Sequence, residues 1–165
     1  METTASVDAR KKVWDLIQDI QVAMLVTRDA QGPMAARPMA AVNRDFSDRL
    51  WFMTAADSPK LEEIRATPRV LVAYAEPKKQ IYVSVRGAAR IVQDRDKIRE
   101  LWTEGARVWF PDGPDDSAIA LIEVRVETAE YWDSPSSAMV YAYGYAKARL
   151  TGTPPDLGEN ETVRF

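Results

Sequence analysis

Apolar positions recur along this chain at two periods, and the switches between them mark out its elements. Val13, Leu16, Ile17 and Ile20 repeat at helical spacing behind a possible Ser6 cap, so residues 6–19 read as a helix. "VAMLVTR" (22–28) is a short β-leaning run, "DAQG" is a turn, and "PMAARPMAAV" (33–42) returns, which makes a hairpin. Pro38 lacks an N–H for a ladder, so the second strand is expected at an edge or a bulge. "RLWFMTA" (49–55) reads as a third strand, 58–66 as a helix stopped by "ATPR", and "VLVAYAE" (70–76) as a buried strand. In "QIYVSVRG" (80–87) the alternation is strict: Ile81, Val83 and Val85 take one face, Tyr82, Ser84 and Arg86 the other. That strand continues past Gly87 into "AARIVQ".

Residues 94–105 again carry the helical period, and "ARVWFPDGPDDS" reads as a loop exposing Trp109 and Phe110. In the last long strand, 120–133, Ile122, Val124 and Val126 alternate with Glu123, Arg125 and Glu127. Residues 136–149 read as a helix with Tyr141 and Tyr145, one turn apart, on its inner face. The Pro/Gly-rich segment 151–165 is expected to be an extended tail. About six meandering strands with short connecting helices do not follow a βαβ rhythm. The expected fold is mainly β: one domain over 1–150, an antiparallel β-barrel (about 21–133) with peripheral helices.

Composition narrows the chemistry. The 165 residues carry a net charge of -3, which argues against a nucleic-acid partner. No apolar run reaches the roughly 20 residues of a membrane span, and the N-terminus shows no signal-peptide h-region, so a cytoplasmic location is expected. There is no cysteine and no histidine. Thiolate and imidazole metal sites, thiol nucleophiles and the Ser-His-Asp arrangement are thereby excluded, and no metal is expected. An enzyme of this composition draws its reactivity from a bound organic cofactor.

Ser58-Pro59 marks a helix start, yet Lys60 follows, a cation against the positive end of the helix dipole. Lys60 either points into water or faces an anion. With Thr54, Ser58 and the free backbone N–H groups it has the parts of a phosphate site. Arg37 is either a surface arginine or a second contact to the same phosphate. Trp51 and Trp102 read as packing residues; Trp109 and Trp132 suit a ring-binding pocket or an oligomer interface. The acidic turn "PDGPDD" lacks EF-hand spacing and reads as solvated.

"ARPMA", "LWFMTAADSPKLEEI", "YVSVRGAARIV", "IRELW", "VWFPDG" and "AEYWD" occur in this order over about residues 20–135. The set closely resembles the pyridoxamine 5'-phosphate oxidase-like proteins, in the branch of general stress protein 26. The resemblance implies a six-stranded antiparallel split β-barrel that binds FMN, as a homodimer with the cofactor sites at the interface. It implies that Arg37 contacts the phosphate and the backbone of Pro38 and Met39 the ring. Met53, Thr54, Ser58 and Lys60 would hold the ribityl phosphate, while the second subunit contributes Tyr82 and Trp132. Tyr82 departs from the glutamine of the true oxidases, and their arginine-and-histidine substrate signature is missing, so oxidation of pyridoxamine phosphate itself is not expected. The expectation is an FMN-binding stress-type protein, with flavin oxidoreductase activity on an unknown substrate or a nicotinamide donor. The alternatives are a non-catalytic FMN carrier or sensor, and a split barrel using F420, for which Lys78 and Lys79 offer only a turn. Haem is disfavoured without histidine or cysteine.

Overall fold

A computed structural model describes residues 4–43, 45, 47–134, 138–153 and 158–165, with the backbone alone for 4–6 and 138–141. The chain runs α1 (Thr4–Ile17), β1 (Val22–Arg28), β2 (Met34–Ala40), β3 (Arg49–Ala55), α2 (Pro59–Ala66), β4 (Arg69–Glu76), β5 (Ile81–Val92), α3 (Arg95–Leu101), a 3-10 turn (Glu104–Val108), β6 (Ile119–Asp133), α4 (Ala138–Thr151) and β7 (Glu159–Arg164). The strands pair in the order β2-β1-β4-β5-β6-β3, with β7 added to β6, and every pairing is antiparallel. Among the described residues the end strands β2 and β3 are joined just beyond β2, at the bridge Ala41–Phe52. The sheet curls into a barrel and stays split there.

Alternation explains the core. Leu25, Val72, Val85 and Ala129 lie in one cross-strand row, all at most 1% exposed. Phe52 and Ile122 complete the interior from the far side, and α1 caps one end through Val13, Leu16 and Ile17. Helix α2 drops Leu61 and Ile64 into the same cluster; burying each stabilises by roughly 1.5–3 kcal/mol. A second, smaller cluster lies on the outer face of β3 and β6. There Ile98 and Leu101 of α3 cover Ile119, Leu121, Trp51 and Met53. Asp94 caps α3 by accepting from the N–H groups of Asp96 (2.9 Å) and Lys97 (3.1 Å).

Gly87 marks a bulge. Arg86 pairs with Thr128 and Gly87 with Val126, so Glu127 is skipped. A Cβ at Gly87 would lie 2.2 Å from the Arg125 carbonyl oxygen. The backbone approach there admits no side chain.

Five expectations are corrected. The segment 94–105 is not one helix: α3 stops at Leu101 and a separate 3-10 turn follows. Phe110 is 7% exposed in the second cluster, because the turn folds it back under α3; only Trp109 stays out. Glu123 is on the polar side of β6 but 1% exposed, since Arg49 and Arg90 close over it. The tail supplies a seventh strand, β7. Tyr145 is exposed, not on an inner face, and the side chain of Tyr141 lies outside the described residues. Among the described residues no helix is long and apolar enough to cross a membrane.

Candidate functional site

The split between β2 and β3 gathers the polar side chains that the sequence singles out. Arg37 sits on β2 opposite Leu25, on its inner face. Thr54 ends the inner row of β3 and is 7% exposed. Ser58 and Lys60 open α2 below the split. Lys60 Nζ donates to Thr54 Oγ1 at 2.9 Å and to Ser58 Oγ at 2.6 Å. Ser58 stands at the N-cap position but its side chain caps nothing; its hydroxyl is committed to the lysine instead. The free N–H groups of this helix end therefore have no side-chain cap.

Lys60 is held below the ordinary lysine pKa. Burial is the main cause and the Arg37 guanidinium the second, with Glu63 pulling the other way. The two cations are thus close enough to oppose each other's charge, and among the described residues one carboxylate offsets both. That carboxylate is one of two residues the sequence motifs do not single out. Glu63 accepts from Arg37 Nη2 at 3.0 Å and from the hydroxyl of Thr27, which is itself 1% exposed. Thr27 Oγ1 accepts from Arg37 Nη1 at 2.5 Å. Glu63 lies one helical turn after Lys60, and Thr27 lies two residues after the cross-strand partner of Arg37; those spacings are the only sequence signal for either. Arg37, Lys60 and Glu63 leave one net positive charge, beside three hydroxyls and a helix end without a side-chain cap. The set suits an anion with several oxygens.

The other expected residues divide by face. Pro38 is on the edge strand with its ring outward, whereas Met39 is 8% exposed in the core. The Met53 side chain turns away from Thr54 into the cluster beneath α3, so only its backbone lies along the split. Tyr82 and Trp132 are cross-strand partners on the outer face, 38% and 39% exposed. They lie three and four strands from β2, roughly 14 and 19 Å along the sheet. Trp109 is 80% exposed beyond the 3-10 turn. Within one chain, none of these aromatics hydrogen-bonds to the Arg37–Lys60 group among the described residues. Lys78 and Lys79 are exposed in the β4–β5 turn.

The outer face itself is unusual for a strand surface left open. Three cross-strand rows run over it: Ala36, Val26, Leu71, Arg86, Thr128; then Pro38, Met24, Ala73, Ser84, Glu130; then Ala75, Tyr82, Trp132. Val22 and Met24 are 52% and 40% exposed there. "VLVAYAE" is apolar on both faces, yet only its inner face is covered in the single chain.

The model of the family described as pyridoxamine 5'-phosphate oxidase like matches residues 8–156. The chain belongs to that family. General stress protein 26 of Bacillus subtilis is 29% identical over 125 residues, 73% of this chain and 85% of that protein. The structure of a general stress protein 26 from Jannaschia sp. CCS1 covers 96% of this chain and 99% of its own at a TM-score of 0.78 and 26% identity. A general stress FMN/FAD binding protein from Xanthomonas citri covers 79% and 92%, at a TM-score of 0.70 and 25% identity. The fold is accordingly the split barrel of these relatives, and the similarity runs to the general stress proteins within the family.

Proposed function

We propose that this family member binds FMN as a homodimer, with each flavin between the split of one subunit and the outer face of the other, and that it acts as a flavin oxidoreductase. The observation that carries the reading is the Lys60 group: two mutually repelling cations, three hydroxyls and an uncapped helix end in one place. A phosphate dianion relieves that repulsion and reverses the misfit of Lys60 with the helix dipole.

The rest of the chain supplies a place for the ring. The edge backbone of β2 at Pro38 and Met39 has no continuous neighbour on the β3 side, so its polar groups are available to a flat heterocycle. Tyr82 and Trp132 form an aromatic pair on the outer face, whereas Arg37 and Thr54 line the inner face of their own subunit's split. A second copy laid on the apolar outer face brings its own pair to it and covers Met24 and Ala73. Bound flavin supplies hydride and electron transfer. The residues named here bind, orient and shield it, and none needs to be histidine.

The decisive test is purification followed by FMN titration and light scattering. One FMN per chain in a dimer supports the reading; a chain that stays colourless in excess FMN contradicts it. Addition of NADH or NADPH to the loaded protein then separates the oxidoreductase from a passive carrier. Bleaching of the flavin followed by reoxidation in air is the expected result, and a flavin that stays oxidised under excess reductant identifies a carrier.

A further inference from the structure

A second polar group lies on the outer face of β3, β5 and β6 and has no part in the flavin reading. Glu123, 1% exposed in the first half of β6, is held by two guanidiniums: Arg49 of β3 donates to Oε1 and Arg90 of β5 to Oε2. One step along the same face, Arg49 and Arg125 are direct cross-strand partners. Like charges directly opposite each other destabilise a sheet. Glu123 offsets part of this charge, and the exposed Asp48 lies 3.6 Å from Arg49. Arg125 has neither ion pair nor hydrogen bond among the described residues. Three arginines against two carboxylates leave one net positive charge.

These residues line an open surface cavity of about 390 Å3, with Arg49, Ala88, Ala89, Arg90, Glu123 and Arg125 at its walls. The opening exists because β5 presents the small Ala88, the cross-strand partner of Arg125, on this face, while Ala89 alternates inward and packs in the core. Its volume lies in the range of small-ligand sites. Glu123 engages Arg49 through one Nη and Arg90 through Nε, so each guanidinium keeps nitrogens free to donate.

We propose that this cavity is a second binding site, for a small ligand bearing a phosphate group. Glu123 fixes Arg49 and Arg90 at its wall, and Arg125 is the uncommitted cation that receives the anion. Forked guanidiniums from three strands can meet several phosphate oxygens at once, which a carboxylate's two oxygens cannot match. A bound dianion would also remove the repulsion between Arg49 and Arg125.

The test uses pyrophosphate as the probe and thermal unfolding of the full chain as the readout, with sodium chloride at equal ionic strength as the reference. Wild type, Arg125→Gln and Lys60→Ala are compared. Arg125→Gln removes no hydrogen bond or ion pair among the described residues, and the position is exposed, so it should fold. A rise in Tm of roughly 3–6 °C at ten times the dissociation constant is expected in wild type and in Lys60→Ala, and none in Arg125→Gln. A shift that survives Arg125→Gln, that vanishes with Lys60→Ala, or that is absent from wild type overturns the proposal. Because Lys60→Ala disables the phosphate contact of the flavin site, the two sites are read separately.

Discussion

Lys60 shows how a single residue can be stable in the fold and still be poised for a ligand. Its depressed pKa means the folded, unliganded chain disfavours the charged form. In the window between that lowered value and the unfolded value of 10.5, the unfolded chain binds more protons, so raising the pH stabilises the folded chain. Anion binding requires the charged form, so affinity falls over the same rise. Urea unfolding of the unliganded protein should therefore gain stability with alkaline pH relative to Lys60→Met, while FMN affinity declines; parallel pH curves for the two proteins would show that Lys60 is not the titrating group. Two other positions have sharp expectations. Gly87→Ala places a methyl group on the Arg125 carbonyl and should cost about 1–3 kcal/mol or more in urea unfolding. The Tyr74 hydroxyl is buried with no hydrogen-bond partner among the described residues, so Tyr74→Phe should be neutral or stabilising. A loss of stability there would mean that the hydroxyl does have a partner.

At the scale of elements, β1 and β3 have the bounds that alternation and β-propensity assign, because each is apolar on its inner face and ended by turn residues. Pro38 narrowed β2 to an edge or a bulge, and the structure places it at the edge. β7 was not legible: "ENETVR" is polar, and only Val163 is buried. It becomes a strand because the second half of β6, Thr128–Asp133, otherwise has no partner beyond β5. Side-chain ties reinforce the ladder, Tyr131 to Glu161 at 3.0 Å and Lys12 to Asp133 at 2.6 Å from α1. Ending the chain at residue 157 should thus expose a bare edge and the space under Val163. A loss of about 2 kcal/mol or more and a tendency to aggregate are expected, measured by thermal unfolding and light scattering. An unchanged Tm would make β7 dispensable. The buried Glu123 escaped the pattern for a related reason: alternation assigns a face, not what long arginines on neighbouring strands do above it.

For the whole molecule, the cluster at the split was readable in part. Thr54, Ser58, Lys60 and Arg37 were visible as a phosphate set, but Thr27 and Glu63, which fix the arginine, depend on which strand end α2 passes beneath. The aromatic pair and the apolar outer face form the other half of the proposed pocket, and only a second copy unites them. A charge at the centre of that face, Met24→Glu, should yield a folded monomer that no longer retains flavin, by light scattering and absorbance. A monomer with full flavin affinity would separate the cofactor site from the interface.

The central claim is that the Lys60 group reads a flavin phosphate, and comparing FMN with riboflavin tests it most directly. Fluorescence titration should show FMN binding more tightly to the wild-type chain. Lys60→Ala should weaken FMN by about 1.5–3 kcal/mol and leave riboflavin nearly unchanged. Equal affinities for the two flavins, or an FMN affinity indifferent to Lys60→Ala, would contradict the assignment.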